Sequence, residues 1–135
     1  MEQHAAGIIL VTPGGSVILQ QRDRSGVEQP GKISFFGGGC EEGETVKESA
    51  VRELREETGF DVSPDDLELF KEYDVTAHEG RHSGATFFVL RGVTPEDITV
   101  YEGEGVVMVS SWEDVQGHPG IASVARQVLD DWFNS

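Results

Sequence analysis

The sequence predicts a layered α/β fold, and three observations support this. The chain has 135 residues, which is the size of a single domain. Short runs rich in β-branched and aromatic residues recur along it, separated by turns that contain glycine or proline. Two longer segments repeat their apolar residues about every 3.6 positions, as amphipathic helices do. Because helices interleaved with strands pack as layers on a sheet, we expect residues 1–135 to form one α/β domain.

The first half of the chain is expected to supply three strands. Residues 5–11 and 17–21 have the composition of strands, and the sequence Pro-Gly-Gly-Ser between them predicts a hairpin. Residues 23–32 are predicted to form a loop. Residues 33–36 are predicted to form a short strand that leads into three glycines at 37–39, where bare backbone can approach a metal ion or a phosphate closely. A glycine run is equally typical of a bulge or a tight turn.

The second half is expected to supply two helices and three further strands. Across residues 45–58 the apolar residues have helical spacing, and Gly59 follows where a helix C-cap belongs. A second amphipathic helix is predicted at 118–133, with Pro119 in its first turn. The buried stripe of this second helix is expected to be Ile121, Val124, Val128, Leu129 and Trp132. The strands predicted between the helices are 67–73, 85–90 and 106–109.

The charge and composition of the chain argue against several classes of protein. The formal net charge is -15, from 25 acidic and 10 basic residues, so we expect neither a nucleic acid polymer nor a membrane as a partner. The first residues lack the basic and apolar regions of a signal peptide, and no apolar run is long enough to cross a bilayer. Cys40 is the only cysteine, which excludes an internal disulfide and a cysteine-rich zinc site. We therefore expect a cytoplasmic protein.

The helix predicted at 45–58 carries an acidic face. At about 100° per residue, Glu53, Glu56 and Glu57 fall in one arc beside the apolar arc. Glu53 and Glu57 repel each other as an i, i+4 pair, and all three lie near the helix C-terminus, where the macrodipole disfavours anions. Arg52 can pair with Glu56, which would make this face a salt-bridged surface, but one arginine does not neutralise three carboxylates. A bound Mg²⁺ ion would neutralise them, since it prefers carboxylate, water and phosphate oxygens as ligands.

The spacing of residues around this helix matches a known motif. Gly38 is followed after five residues by Glu44, and after seven more by the sequence Arg-Glu-Leu-Arg-Glu-Glu-Thr-Gly-Phe at 52–60. This pattern resembles a complete Nudix box, in which seven positions demand a single residue type. With common residues used at about 7% each, such a match arises by chance about once per hundred million starting positions. The resemblance implies a Nudix-type α/β/α sandwich with a mixed β-sheet.

The resemblance also implies an activity and a cofactor. Nudix hydrolases use Mg²⁺, with Mn²⁺ as a substitute, to cleave a diphosphate linkage of a nucleoside diphosphate derivative or a nucleoside triphosphate by attack of metal-activated water on phosphorus. The expected partner is therefore a small nucleotide, and the expected assembly a monomer or a homodimer. Accessory marks of the ADP-ribose, dinucleoside polyphosphate, coenzyme A and NADH subgroups are absent from the sequence. The alternative is a non-catalytic Nudix-fold module that binds nucleotides, although such a module commonly lacks glutamates that this box retains.

Individual residues of the box receive roles from the resemblance. Glu53 and Glu57 would be the principal metal ligands, and Glu56 a further ligand or the group that orients and deprotonates water. The Arg52 side chain would hold Glu56 in place. The supporting positions are Glu44 near the helix start, Gly59 at its end, and Gly38 or its neighbour Gly37, which would offer a backbone carbonyl to the metal.

Two loops outside the box are further candidates. In this family a glutamate outside the box often completes the site, and residues 101–104 precede the last predicted strand. We expect Glu102, with Glu104 as the alternative, to be the additional metal ligand or general base; the competing interpretation is two solvated loop acids. The loop at 78–82 contains two histidines and an arginine, and would face the substrate, bind a transition metal or simply be solvated.

Weaker candidates for substrate binding lie near the predicted third strand. Arg22, Arg24 and Lys32 would contact substrate phosphates if they face the cleft, although solvent exposure is the default for such residues. Strand alternation places the side chains of Phe35 and Phe36 on opposite faces of the sheet. Phe36 is the candidate for stacking on a nucleotide base, with core packing as the alternative for both rings.

Overall fold

The computed structural model describes residues 3–21, 33–76, 82–99 and 105–134. Within these ranges the chain forms one seven-stranded sheet, three helices and two short 3₁₀ turns. The strands are β1 (Gln3–Val11), β2 (Val17–Gln21), β3 (Ile33–Ser34), β4 (Phe36–Gly39), β5 (Glu68–Thr76), β6 (His82–Arg91) and β7 (Gly105–Val109). The helices are α1 (Val46–Thr58), α2 (Trp112–Gln116) and α3 (Ser123–Asn134), and the 3₁₀ turns are Pro64–Asp66 and Pro95–Asp97. No helix in these ranges is long and apolar enough to cross a membrane.

The sheet is mixed, and its strands diverge at one point. β1 runs parallel to β6 and antiparallel to β2 and β4, while β5 is antiparallel to β6 and β7 to β2. The predicted hairpin of β1 and β2 forms, with Leu10 opposite Ile18 and Val11 opposite Val17. Beyond these pairs, β3 joins the end of β2 and β4 joins the beginning of β1. Residues 33–39 therefore lie between the two strands of the hairpin, where β1 and β2 separate from each other.

Two apolar cores lie on opposite faces of this sheet. Side chains alternate along β1, so that Ile8 and Leu10 belong to the core beneath α1, whereas Ile9 and Val11 belong to the core beneath α2 and α3. The buried apolar helix residues are Ala50 and Leu54 from α1, Val115 from α2, and Ala125, Val128 and Leu129 from α3. These three layers are the predicted α/β/α sandwich, and the predicted fold class is confirmed.

Local sequence sets both ends of α1. Thr45 is the N-cap: its hydroxyl accepts a hydrogen bond from the Glu48 N–H at 3.1 Å, and the Glu48 carboxylate accepts one from the Thr45 N–H at 2.8 Å. At the other end Gly59 adopts φ 74°, and its N–H donates to the Arg55 carbonyl at 2.8 Å. The helix predicted at 45–58 is confirmed, with Thr45 as its cap rather than its first helical residue.

The glycine run at 37–39 is itself part of a strand, which corrects the expectation that it follows one. Gly37, Gly38 and Gly39 pair with Gly7, Ala6 and Ala5 of β1. The predicted strand at 33–36 is instead split into β3 and β4, because its two halves pair with different partners.

The C-terminal helix begins at Ser123, five residues later than predicted from its apolar pattern. The Ile33 N–H donates to the Gly120 carbonyl, and the Ala122 N–H donates to the Ile33 carbonyl, both at 2.9 Å. β3 therefore forms hydrogen bonds with backbone groups of Gly120 and Ala122 that would otherwise form hydrogen bonds within a longer helix. Ile121 is buried as predicted, but it lies in the extended segment before α3.

Candidate active site

Strand β4 passes close to its neighbours at two positions: a side chain at Gly37 would meet backbone, and one at Gly38 would meet the Glu53 carboxylate. Gly37 has φ 143°, and a Cβ there would lie 2.1 Å from the Ala6 carbonyl oxygen. At Gly38 a Cβ would lie 2.5 Å from the carboxyl carbon of Glu53. The glycines thus bring bare backbone against β1 and against the acidic face of α1.

The carboxylates of Glu53 and Glu57 both lie against this backbone. The Glu57 residue is only 5% exposed, and its Oε1 accepts a hydrogen bond from the Gly37 N–H at 2.9 Å. The Glu53 carboxylate occupies the space over Gly38 that any larger residue would fill. One turn of α1 therefore places two carboxylates over adjacent residues of β4.

Arg52 connects the acidic residues of the site to one another. Its Nε donates to Glu44 Oε2 at 2.7 Å, and its Nη1 donates to Glu53 Oε1 at 3.1 Å and Glu56 Oε1 at 3.2 Å. Its Nη2 also donates to the Gly39 carbonyl at 3.1 Å. The hydrogen bond with Glu44 raises the pKa of Arg52 above its usual value and lowers the pKa of Glu44. The expected contact of Arg52 with Glu56 is present, and the five N–H donors of the planar guanidinium let it reach Glu44 and Glu53 as well.

The chemistry of these residues fits a divalent metal ion. Glu53, Glu56 and Glu57 offer carboxylate oxygens, the hard ligands that Mg²⁺ prefers, and Gly38 leaves room for one of them beside the strand. The side chain of Glu56 is 54% exposed, so it is open to water. In the part of the chain that the structure describes, no three His, Cys, Asp or Glu side chains converge on one metal-binding point. The carboxylate oxygens meet the Arg52 guanidinium and a backbone N–H instead.

A cleft of about 130 Å³ lies on the α3 face of the sheet and is lined in part by residues of β1, β4 and β6. Its walls include the rings of Phe35 and Phe87, whose centroids lie 5.2 Å apart at an interplanar angle of 66°. Within the described ranges, Ser34 is the one lining residue with a polar side chain. Gly37 also lines the cleft, and its N–H donates a hydrogen bond to Glu57. The cleft therefore meets the acidic group, as we call Glu53, Glu56 and Glu57, at this residue.

The structure corrects one predicted substrate contact. Phe35 and Phe36 both line the cleft, but the Phe36 side chain is completely buried in the core beneath α1, so its ring packs in the core, and it is the Phe35 ring that lies on the α3 face with Phe87. The two rings do lie on opposite faces, as strand alternation predicts. The predictions for Arg22, Arg24, Lys32, Glu102 and Glu104, and for the side chains of loop 78–82, fall outside the described residues.

Two residues that shape the cleft were not found from the sequence. Phe87 lies over Gly7, where an added Cβ would be 2.3 Å from the ring. The available signal was a lone glycine within an apolar strand, which often marks a close approach of another group. Which group approaches it depends on the pairing of β1 with β6, which the sequence did not reveal.

One family model covers nearly the whole chain, and curated relatives match part of it. The family model of the NUDIX domain matches residues 1–132. Curated relatives include the NAD-capped RNA hydrolases NudC of Stutzerimonas stutzeri, 40% identical over 57 residues, and of Pseudomonas aeruginosa, 43% identical over 56 residues. Each match covers 42% of this chain but only 20% and 19% of the respective relative, so the chain spans about a fifth of their length in these matches.

Solved structures share the fold over nearly the whole chain. The MutT protein from Methanosarcina mazei Go1 has a TM-score of 0.80 at 21% identity, covering 96% of this chain and 91% of that one. A MutT NUDIX hydrolase from Burkholderia pseudomallei has a TM-score of 0.78 at 19% identity, covering 96% and 97% of the two chains. The E. coli ORF135 protein has a TM-score of 0.75 at 24% identity, covering 96% and 88%. At these identities the likeness establishes the fold alone.

Proposed function

The chain belongs to the Nudix hydrolase family, and from this premise we propose that it is a Mg²⁺-dependent pyrophosphohydrolase formed by one domain at 1–135. It cleaves a diphosphate linkage of a nucleoside diphosphate derivative or a nucleoside triphosphate. One observation carries the proposal: Glu53 and Glu57 lie over two adjacent glycines of β4, with Glu57 bound to the Gly37 N–H. An acidic pair packed against bare backbone offers the kind of oxygen ligands that a hard cation prefers.

Each acidic residue has a distinct part in this proposal. Glu53 and Glu57 are the principal metal ligands, and the Gly38 carbonyl is a further one. Glu56, which is more than half exposed and bonded to Arg52, orients the attacking water and accepts its proton. Arg52 holds Glu53 and Glu56 in place, and Glu44 anchors the opposite side of the guanidinium. Glu102, or else Glu104, completes the ligand set from the segment before β7.

The reaction needs no covalent intermediate. A bound divalent metal ion would supply positive charge for the phosphate oxygens and lower the pKa of bound water. The protein holds the substrate's phosphates beside β4 and positions water through the exposed Glu56. Cys40 is half-buried and has no part in the reaction.

The cleft beside Gly37 supports a nucleotide as the substrate. Its aromatic walls suit a flat ring, and its lining includes Gly37, whose N–H binds the Glu57 carboxylate. Among the lining residues that the structure describes, Ser34 is the single polar side chain, so these residues recognise the ring by shape and backbone contacts. Sites without dedicated hydrogen-bonding groups discriminate poorly between similar substrates, by about 10²-fold, so we propose that several bases are accepted. The NudC matches make nucleoside diphosphate derivatives candidates alongside nucleoside triphosphates.

The decisive experiment is a panel of nucleoside triphosphates, nucleotide sugars and dinucleotides, assayed with Mg²⁺ by product identification. Reaction in ¹⁸O-labelled water locates the attacked phosphorus. Glu57→Gln removes the charge of the buried carboxylate and is expected to lower turnover by several orders of magnitude while circular dichroism remains unchanged. Glu72→Gln, an exposed change on β5, is the matched control and is expected to have no effect.

The outcomes separate the two candidate functions. If the protein is folded but turns over none of the nucleotides, the proposal of an enzyme fails in favour of the non-catalytic nucleotide-binding module. Near-normal activity of Glu57→Gln would remove this residue from the metal site.

A further inference from the structure

The Phe87 wall of the cleft is confined on three sides. Beneath it lies Gly7, where the absence of a Cβ lets the ring approach β1. On one side its centroid is 5.2 Å from that of Phe35, and on another it is 5.6 Å from that of Tyr73, with the latter rings at 89°. Such edge-to-face contacts favour one ring orientation. Because Phe87 lines the cleft, a small displacement of its ring would change the width of the cleft.

Tyr73 is in turn fixed to the C-terminal helix. Its hydroxyl donates a hydrogen bond to Asp131 Oδ2 at 2.7 Å, and Lys71 Nζ lies 3.2 Å from the same oxygen. The Tyr73 residue is 8% exposed, so its ring belongs to the core while its hydroxyl reaches a carboxylate at the edge of that core. Hydrogen bonds to an ionised group are about twice as strong as neutral ones. A single chain of contacts therefore runs from α3 through β5 to the cleft wall.

We propose that Tyr73 and Asp131 are positioning residues for substrate binding, which hold Phe87 against Gly7 and so fix the width of the cleft for the flat ring of a nucleotide. Neither residue touches the substrate. The inference rests on the proposed function, because that function places a nucleotide ring in the cleft. The inference adds to the proposed function a control of substrate affinity by the C-terminal helix.

The location of these residues predicts an effect on binding rather than on chemistry. The acidic group is anchored independently, by contacts among α1, β4 and Arg52 on the other face of the sheet. Loosening Phe87 therefore weakens the contact with the substrate ring and leaves the geometry at phosphorus unchanged. Loss of an interaction that is equally strong in the ground state and the transition state raises KM without changing kcat.

The kinetic test uses variants that separate the hydroxyl, the carboxylate and their neighbours. Tyr73→Phe keeps the ring and removes the donor, and Asp131→Ala removes the acceptor. Each is expected to raise KM about three- to tenfold for the best substrate, with kcat within about twofold of the original. Asp131→Asn retains an acceptor oxygen and should restore KM part of the way. Asp130→Ala is the matched control and should leave both parameters unchanged. The Asp130 carboxylate accepts a hydrogen bond from the Asn134 side-chain amide, 2.8 Å away on the same helix.

Two measurements test the positioning role without catalysis. NMR ring-flip rates of Phe87 should increase in Tyr73→Phe and Asp131→Ala, and the affinity for AMP in the presence of Mg²⁺ should fall by the same factor as KM rises. The proposal is overturned if kcat falls at constant KM, if Asp130→Ala has an equal effect, or if Phe87 flips at its original rate in both variants. If the unaltered protein hydrolyses no nucleotide, the proposed function fails, and ring-flip rates with AMP affinity still decide the positioning role.

Discussion

Gly37 and Gly38 are adjacent, yet their missing side chains serve different purposes. A Cβ at Gly37 would meet the Ala6 carbonyl oxygen, and the positive φ of 143° is unfavourable for any other residue. A Cβ at Gly38 would meet the far end of the Glu53 side chain, which can move. Substitution at Gly37 therefore disturbs the sheet, whereas substitution at Gly38 disturbs the acidic group.

Gly38→Ala is accordingly expected to lower activity while preserving the fold. The added methyl group displaces the Glu53 carboxylate, and misplacing a metal ligand costs about 10- to 100-fold in metal affinity or activity. The Mg²⁺ concentration for half-maximal rate should rise, and thermal denaturation should change little. Gly39→Ala is the matched control, because a Cβ there meets no atom within 4 Å. Equal losses in both variants would contradict a specific role for the space over Gly38.

Among the elements, α1 combines features that oppose and features that support a helix. The i, i+4 repulsion of Glu53 and Glu57 and their position near the C-terminus each disfavour it by a few tenths of a kcal/mol. The capping box at Thr45, the Gly59 cap and the burial of Leu54 support it. The unfavourable charges can therefore persist because the ends and the apolar face of the helix stabilise it.

The connection between α3 and β5 is expected to depend on pH. The hydrogen bond from Tyr73, and then that from Lys71, lower the pKa of Asp131 below its ordinary value. Because the folded-state pKa is lower than the unfolded one, about 3.9, ionised Asp131 stabilises the fold above that pH and loses its contribution as the pH falls through the folded-state pKa.

Asp131→Asn, which keeps the shape but not the charge, should therefore destabilise most above about pH 5 and progressively less below about pH 4. Urea denaturation of both proteins between pH 3 and pH 7 measures the difference, with Asp130→Asn as the control. A difference that stays constant across this range would show that the charge of Asp131 does not contribute.

At the scale of the whole molecule, the net charge of -15 opposes both compaction and the binding of an anionic substrate. The described side chains that line the cleft are uncharged, so the substrate ring meets no carboxylate among them. The phosphates, in contrast, would approach the most acidic part of α1. A cation between the two resolves this repulsion, which connects the charge of the chain to its proposed cofactor.

Mg²⁺ should therefore stabilise the protein beyond the general effect of salt. NaCl screens repulsion across the whole surface, whereas Mg²⁺ at ten times its Kd adds about 1.4 kcal/mol by binding the folded state, or roughly 5 °C in Tm for a domain of this size. The measurement compares Tm in MgCl₂ and in NaCl of equal ionic strength. The excess with Mg²⁺ should shrink in Glu57→Gln, and an unchanged excess would place the stabilising cation elsewhere.

The sequence by itself determined what depends on neighbours along the chain. The span of α1 followed from Thr45, the helical apolar spacing and Gly59, all of which act within a few residues of the helix. The common arc of Glu53, Glu56 and Glu57 followed from helix geometry. The hairpin of β1 and β2 followed from its turn sequence. The spacing of the glutamates from Gly38 was enough to recognise the family.

Only the tertiary structure decided what depends on contacts between distant segments. Phe35 and Phe36 are indistinguishable by composition, and the packing of α1 against one face of β4 determines which ring is buried beneath it. The pairing of β3 with the segment before α3 delays the start of that helix. The hydrogen bond from Arg52 to the Gly39 carbonyl of β4, and the contacts from Asp131 to Phe87, join residues from separate elements. Such contacts depend on strand register and layer order, which local periodicity does not encode.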